Sequence, residues 1–331
     1  MKKTLSFGLM GAFLCVLNAY AQNSSAAPNT SNTYPNKPVK VVVGFAPGGA
    51  ADYVARTLSD PLGKALGQPI IVENKAGAGS SIAAESVSKS TPDGYTILIA
   101  SPSSISVNPA LNPKLGYSPK DLIPVTKITS SPLVVAANPN AGIGSLLELV
   151  AKAKKAPGTI NYATSGNGSA PHLGAALFGQ VTGIEMTHIP FRGGGPAIQS
   201  VVAGDTQLTF GTPPSVLPMI QAGRLKGIGV STKEKTSLVP GIPGTIEAGV
   251  PDYAIEFWYG IFVPNGTPPA VVKKIFEATQ IAMAQPNVKT SLAREGTDID
   301  VSKSPEQFAS FLTEDAKFWV KLVKSAGVKL D

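Results

Sequence analysis

The fold of this chain is decided by the stretch Val39-Lys40-Val41-Val42-Val43-Gly44-Phe45-Ala46-Pro47-Gly48-Gly49-Ala50-Ala51-Asp52. Its valine run predicts a strand that is buried on both faces of a sheet. The pair Gly48–Gly49 lies in a turn where the backbone must bend tightly. Apolar residues then recur at helical spacing, at Val54, Leu58 and Leu62. The stretch therefore predicts strand, glycine turn and helix, the repeating unit of an α/β protein.

The glycine turn is also a candidate binding element. The first N–H groups of a helix have no partner within it, and together with the positive end of the helix dipole they favour an anion. We therefore expect the loop Phe45–Ala50 to contact an anionic ligand. The alternative is that the loop is an ordinary βα turn without a ligand. Asp52 would then only cap the helix or its loop.

The first 21 residues have the pattern of a signal peptide. Lys2 and Lys3 precede the apolar stretch Leu5–Leu17, and the small-x-small pattern Ala19-Tyr20-Ala21 predicts cleavage directly after it. We therefore expect export to a bacterial periplasm. The single cysteine, Cys15, lies inside this segment, so the mature chain is expected to contain no disulfide.

Charge excludes one large class of partner. Loss of the signal peptide removes two lysines and no acids, which lowers the formal net charge from +7 to +5. Such an excess attracts small anions through its long-range field. Nucleic acid is not expected as a partner, because no basic cluster is interleaved with aromatic residues. Residues 22–34, rich in Asn, Ser, Ala and Thr, are predicted to be a disordered lead-in.

Strand and helix signals alternate from Val39 to the end of the chain, which predicts an α/β protein with mainly parallel sheets. The remaining length is sufficient for two cores. Two extended segments, 122–128 and 132–137, follow one another without a helix long enough to cross over between them. This pattern is typical of a chain that passes from one domain to another.

A second glycine loop, Thr164-Ser165-Gly166-Asn167-Gly168-Ser169, follows the predicted strand 160–163 and precedes a helix. His172 begins that helix and lies either in its packing or at the mouth of a pocket. Arg192, followed by glycines, either clamps a carboxylate with its planar fork or pairs with a surface acid. The hydroxyls of Ser101 and Ser103 follow a third predicted strand.

The chain carries no convincing catalytic set. Ser169 is followed by alanine rather than by the glycine-flanked pattern of a nucleophile elbow. The two histidines, His172 and His188, have no acids at ligand spacing, so no metal is expected. Phosphate-binding and dinucleotide fingerprints are missing or incomplete, so no cofactor is expected. Facing glycine loops suit a cleft that binds a small anion without altering it, which favours a receptor. A secreted hydrolase that uses a loop serine is the alternative.

Several motifs occur together and in a characteristic order. They are Pro47-Gly48-Gly49-Ala50-Ala51-Asp52, Pro92-Asp93-Gly94-Tyr95-Thr96, Asn161-Tyr162-Ala163-Thr164-Ser165-Gly166-Asn167-Gly168-Ser169, His188-Ile189-Pro190-Phe191-Arg192-Gly193-Gly194 and Trp258-Tyr259-Gly260. Because these motifs occur in this order, the chain resembles the substrate-binding proteins of tripartite tricarboxylate transporters, the Bug receptors. The resemblance covers nearly all of its mature length.

The resemblance implies a two-lobed periplasmic binding protein of the type II-like, Venus flytrap kind, with a hinge between the lobes. One lobe would comprise residues 35–128 and 257–331, and the other residues 129–256. The implied ligand is a small carboxylate, aliphatic or aromatic, and the implied partner is a membrane permease. Signalling through a sensor kinase is an alternative output, and a monomer is expected.

The resemblance also implies a ligand site between the lobes. The candidate residues are Phe45, Ala46, Pro47, Gly48, Gly49, Ala50, Asp52, Ser101, Ser103, Thr164, Ser165, Gly166, Asn167, Gly168, Ser169, His172, Arg192, Gly193, Gly194 and Gly211. Many relatives carry an acid at the position of Gly211, where it can meet a ligand amine. Its absence here implies a ligand without an ammonium group.

Overall fold

The computed structural model describes residues 34–112 and 114–325. The predicted signal peptide (1–21) and residues 22–33 of the predicted lead-in lie outside these ranges. The lead-in was predicted to include Tyr34, but this residue belongs to the folded core. Its hydroxyl donates to the carbonyl of Gly94 at 2.7 Å, and its ring packs edge-on against Tyr95 at 5.0 Å. A buried tyrosine with a satisfied hydroxyl anchors the chain at this point.

Strands and helices alternate through most of the described chain. The strands are β1 (Val39–Val43), β2 (Ile70–Asn74), β3 (Thr96–Ala100), β4 (Leu122–Pro132), β5 (Val134–Ala137), β6 (Asn161–Thr164), β7 (Thr187–Pro190), β8 (Leu208–Gly211), β9 (Lys226–Val230), β10 (Glu256–Pro264) and β11 (Asp298–Ile299). The helices are α1 (Ala50–Leu66), α2 (Ser81–Ser88), α3 (Asn108–Leu111), α4 (Leu146–Lys155), α5 (Ala170–Thr182), α6 (Gly194–Ala203), α7 (Pro213–Gln221), α8 (Pro269–Met283), α9 (Pro286–Arg294) and α10 (Pro305–Ser325).

These strands form two separate sheets, which gives the predicted two-lobed α/β architecture. The first sheet has the order β11-β4-β10-β3-β1-β2, and the second has the order β7-β6-β8-β5-β9. We call the parts of the chain built on these sheets the first and second lobes. The valine run of β1 is buried between its neighbours, with Val41 in register with Val72 of β2 and with Ile97 of β3.

Most strands of each sheet run in the same direction, as expected, but each sheet also contains antiparallel strands. In the first sheet β10 is antiparallel to both β3 and β4. In the second sheet β5 is antiparallel to both β8 and β9. Each of these strands reaches its sheet from the other lobe without a crossover helix. It therefore enters from the opposite end to the strands of the βαβ units.

The crossing strands are held together where they pass between the lobes. Only Leu133 separates β4 from β5. Its N–H donates to the Ser231 hydroxyl at 2.8 Å, and that hydroxyl donates to the carbonyl of Ile255, just before β10. The predicted lobe limits at 128/129 and 256/257 stay a prediction, since β4 passes through the first of them without a break.

The cores position the loops that end each strand. Helix α1 packs on α8, which belongs to the C-terminal part of the chain. Trp319 of α10 is buried against Phe257 of β10 at 5.7 Å between ring centroids. The C-terminal helices α8 and α10 therefore pack on elements of the first sheet and its helices. Among the helices of the described ranges, none has the length and hydropathy needed to cross a bilayer.

Candidate functional site

The first glycine loop joins β1 to α1 and is held in shape by Asp52. Gly48 adopts a left-handed conformation, with φ of 81°, that favours glycine. Its N–H donates to the Asp52 carboxylate at 3.0 Å, four residues further along. Asp52 is only 4% exposed and also accepts hydrogen bonds from Arg56 and Asn74, each at 2.9 Å. It therefore fixes the loop from within.

The charge state of Asp52 follows from these partners. Burial alone would raise the pKa of its carboxyl, but hydrogen bonds from Arg56, Gly48 and Asn74 outweigh that effect and lower it. The carboxylate stays ionised at neutral pH. It is thus a permanent acceptor for the loop N–H.

The second glycine loop joins β6 to α5 and uses the same spacing. Gly168 is left-handed, with φ of 69°, and its N–H donates to Nδ1 of His172, again four residues further along, at 3.1 Å. The His172 ring stacks on that of His188 at 3.9 Å between centroids. Burial and the neighbouring His188 lower the pKa of His172 to about 3. The imidazole is therefore neutral, and Nδ1 is free to accept.

Backbone segments of the two lobes meet directly beside these loops. A Cβ placed on Gly49 would lie 3.6 Å from the nitrogen of Gly194. A Cβ on Gly193 would lie 3.0 Å from the nitrogen of Ala46, and one on Gly195 would lie 3.4 Å from the carbonyl oxygen of Pro47. Gly193 has no room for a side chain, because a Cβ there would also lie 2.7 Å from that of Ala46, whereas at Gly49 and Gly195 a Cβ would make an ordinary contact.

A cavity lies where the lobes meet. It is lined by Phe45, Gly49, Ala50, Ala51, Ser165, Ala170, Pro171, Gly194, Ala197, Ile198, Thr209, Gly211, Thr212, Ser215, Phe257 and Tyr259. None of these described residues carries a charge. We call it the first cavity.

The polarity of the first cavity comes from helix ends. Four helices begin at its wall, namely α1, α5, α6 and α7. Within the described part of the chain, none of the four has a side-chain hydrogen bond at its N-cap. Helix α7 contributes only its dipole, because Pro213 and Pro214 have no N–H and the N–H of Ser215 donates to the carbonyl of Thr212. The N-terminal N–H groups of α1, α5 and α6 and the positive ends of all four dipoles lie beside an uncharged space, an arrangement that favours an anion.

A second, more spacious cavity lies beside the first, and Phe45 and Ser165 line both spaces. Its walls are the turn Gly77–Ser81 of the first lobe and the segments 165–167 and 190–192 of the second. Arg192 is the charged side chain among the described residues of this lining.

The predicted site residues fall into three groups. The first cavity is lined by Phe45, Gly49, Ala50, Ser165, Gly194 and Gly211, and the second by Phe45, Ser165, Gly166, Asn167 and Arg192. The remaining candidates are outside the linings of these two cavities: Ala46, Pro47, Gly48, Asp52, Ser101, Ser103, Thr164, Gly168, Ser169, His172 and Gly193.

Several residues of the third group have structural positions. Asp52 and His172 hold the two loops from within, and both side chains are buried. Ser101 and Ser103 are buried, and their hydroxyls have no hydrogen-bond partner among residues 34–112 and 114–325. Burial places both serines inside the first lobe rather than on a wall of either cavity.

The sequence reasoning missed several lining residues. Thr212 and Ser215 belong to the start of α7, where a hydroxyl followed by two prolines is a helix-start signal that was available. Tyr259 lies within β10 and reaches the first cavity only because that strand returns from the other lobe. No local pattern marks such a residue. The described ranges contain no group of three metal-ligating side chains.

Comparison with known proteins agrees with this architecture. The model of the tripartite tricarboxylate transporter family receptor matches residues 54–328. Protein BugT of Bordetella pertussis is 32% identical over 332 residues, and the match covers 100% of both chains.

Two solved structures with named ligands have the same fold. An R. palustris protein with adipate is 28% identical with a TM-score of 0.86, covering 90% of this chain and 100% of that one. MatC from Rhodopseudomonas palustris, with bound malate, is 32% identical with a TM-score of 0.83, covering 88% and 100%. The chain therefore belongs to the family of tripartite tricarboxylate transporter receptors, the Bug receptors, as its motifs predicted.

Proposed function

We propose that this protein captures a small carboxylate in its first cavity and delivers it to a membrane permease of the tripartite tricarboxylate type. The observation that carries the proposal is that α1, α5 and α6 begin, without side-chain caps, at a cavity whose described lining is uncharged. Backbone N–H groups stabilise a carboxylate without adding a group that titrates. Binding would therefore be tight and insensitive to pH near neutrality.

The ligand class follows from the same lining. An ammonium group needs an acid or an aromatic cage, and no acid occurs in the described lining of the first cavity. At Gly211, where an acid would stand in many relatives, an added Cβ would collide with Val216. We therefore expect organic acids without an amine, the class that includes the adipate and malate bound by the two R. palustris proteins.

Lobe closure would couple binding to transport. Contacts such as Gly49 with Gly194 exist only when the lobes approach one another. A ligand that bridges both loops favours this arrangement over an open one, and the permease would recognise the closed form. Export by the predicted signal peptide would bring the protein to the periplasm, where we expect it to act as a monomer.

A hydrolase is the weaker alternative. The hydroxyls of Thr212 and Ser215 lie 3.2 Å apart at the first cavity. A serine nucleophile needs a base within hydrogen-bond reach. Both histidines of the described chain are engaged elsewhere, since His172 accepts from Gly168 and His188 pairs with the Thr164 hydroxyl at 2.6 Å.

A ligand screen followed by a turnover assay separates the two functions. The mature protein is melted with a panel of mono-, di- and tricarboxylates and with matched amides and amino acids. We expect carboxylates alone to raise the melting temperature, and each to be recovered unchanged after prolonged incubation. Recovery of a product would establish an enzyme, and stabilisation by amides equal to that by acids would overturn anion capture.

A further inference from the structure

A third cavity lies between helix α10 and the crossing strands, at the end of β4 and the start of β10. Ser130 and Glu256 belong to those strand ends. Neighbouring residues of a strand point to opposite faces of its sheet, so Trp258 lines this cavity while Phe257 and Tyr259 line the first. With a volume of about 240 Å³, it has room for a small organic molecule on the far side of the sheet from the proposed carboxylate site.

Four aromatic side chains line this space, which we call the aromatic cavity: Trp258, Phe311, Phe318 and Trp319. The rings of Trp258 and Phe311 stand nearly at right angles, with 6.0 Å between their centroids. Phe318, which is 44% exposed, stands in the same way to Trp319, at 5.0 Å. Aromatic faces attract cations, and one cation is already present, since Nζ of Lys127 lies 4.4 Å from the centroid of Phe311. The lining therefore has the kind of surface that an organic cation requires.

Asp315 of α10 brings a carboxylate into the aromatic cavity. Its two oxygens accept separate hydrogen bonds, from Nε1 of Trp258 and from Nε1 of Trp319, each at 2.9 Å. An ionised carboxylate offers about four acceptor positions, so both oxygens can accept again. Burial raises the pKa of Asp315 to about 6, although the two indole N–H groups and Lys127 act against that shift. The carboxylate is therefore ionised at neutral pH, and its charge is only partly offset.

The aromatic cavity carries more negative than positive charge. Glu256 is exposed at its wall and accepts a hydrogen bond from the Ser130 hydroxyl at 3.2 Å. Lys127 is the cationic residue of the described lining, and its Nζ pairs with Asp300 at 2.5 Å. Neither Glu256 nor Asp315 forms a salt bridge within residues 34–112 and 114–325. These two carboxylates and the aromatic rings together favour a cation.

We infer that the aromatic cavity binds a small organic ammonium ion. The rings contact its carbon atoms and attract its charge, and the carboxylates of Asp315 and Glu256 neutralise that charge. The first cavity offers such a ligand no counter-ion, because its described lining contains no acid. Ammonium binding does not depend on carboxylate capture, since the two ligands would occupy separate cavities on opposite faces of the sheet.

Tryptophan fluorescence measures binding at this cavity selectively, because the chain has two tryptophans and both line it. The protein is titrated with choline chloride, with sodium chloride at the same ionic strength, and with a neutral isostere of choline in which a tert-butyl group replaces the trimethylammonium group. The titrations are repeated on Glu256→Gln, Asp315→Asn and Glu314→Gln. Glu314 is an exposed acid of α10 outside the described lining, so its variant has the same loss of charge. A circular dichroism melt confirms that each variant is folded.

We expect choline to change the fluorescence saturably, and its isostere to bind about tenfold more weakly. Asp315→Asn should weaken choline about tenfold and Glu256→Gln about threefold, whereas Glu314→Gln should change its affinity by less than about twofold. Glu256 is exposed, so its variant decides the matter if Asp315→Asn does not fold. Equal binding of choline and its isostere, equal losses in Glu256→Gln and Glu314→Gln, or no saturable change in the wild type would overturn the ammonium site. Failure of carboxylates to stabilise the wild type would instead overturn the proposed function alone.

Discussion

The two glycine loops of the cleft share one backbone design but differ in the side chain that holds them. In each loop a left-handed glycine donates its N–H to the residue four positions later: Gly48 to Asp52 and Gly168 to His172. The first acceptor is an ionised carboxylate with Arg56 as its partner. The second is a neutral imidazole stacked on His188.

The difference shows that the geometry needs an acceptor and not a charge. A carboxylate serves in the first lobe because Arg56 and Asn74 offset its burial. In the second lobe a neutral ring requires no counter-ion, and burial keeps it neutral. The two loops should therefore respond differently to mutation and to acid, and the following experiments test that difference.

The largest effect is expected from Gly49→Val in the first loop. A Cβ at this position would already be in van der Waals contact with the nitrogen of Gly194, at 3.6 Å, so the two methyl groups that valine adds beyond it should hold the lobes apart. We expect carboxylate affinity to fall by about a hundredfold or more, about 2.7 kcal/mol, in a protein that still folds. Titration calorimetry and a thermal melt measure the two quantities. An unchanged affinity would remove this loop from the site.

The next largest effect should follow Gly168→Ala in the second loop. An alanine there must adopt φ of 69°, and its Cβ would lie 2.6 Å from Oδ1 of Asn108. Strain and overpacking together should lower the free energy of unfolding by about 2 kcal/mol. Urea denaturation measures the loss. A loss below about 1 kcal/mol would show that the contact with the first lobe relaxes at no cost.

As the pH falls, the second loop should lose its contribution to the free energy of unfolding at a higher pH than the first loop does. The pKa of His172 is about 3 in the folded protein and ordinarily 6.5, so its contribution to stability is complete above pH 6.5 and is lost as the pH falls towards 3. The slope should reach about 1.4 kcal/mol per pH unit.

The variant His172→Asn isolates that effect, because asparagine offers an oxygen near the position of Nδ1 but does not titrate. Its unfolding free energy should depend less on pH between 4 and 6.5 than that of the wild type. Asp52→Asn is the matched control for the first loop. Since the pKa of Asp52 is lowered from 3.8, its contribution is lost only below that value. A variant curve of wild-type slope would contradict the role of His172.

The smallest effect is expected from Gly48→Ala, the counterpart of Gly168→Ala. Its φ of 81° is similarly unfavourable for alanine, but a Cβ there would meet no described atom within 4 Å. Only backbone strain remains, so we expect a loss of about 1 kcal/mol in unfolding free energy. A loss as large as that of Gly168→Ala would mean that the two loops are equally confined.

Local patterns predicted much of this protein because strands, turns and helices depend on neighbouring residues. The valine run became β1, the glycine pair became the loop before α1, and both loops proved to lie at the cleft. The motif order identified the family, which the comparisons confirmed. The antiparallel direction of β5 and β10 was not predicted, because a local pattern does not reveal the end from which a strand enters its sheet.

Residue order and composition alone were enough for the α/β class, for the two glycine loops and for the family, since each depends on short-range backbone preferences or on motif order. The pairing of His172 with His188, the return of Tyr259 to the first cavity and the hydrogen bond from Trp258 to Asp315 depended on tertiary structure. Each involves residues far apart in the chain, and only packing of the two sheets determines which of them meet.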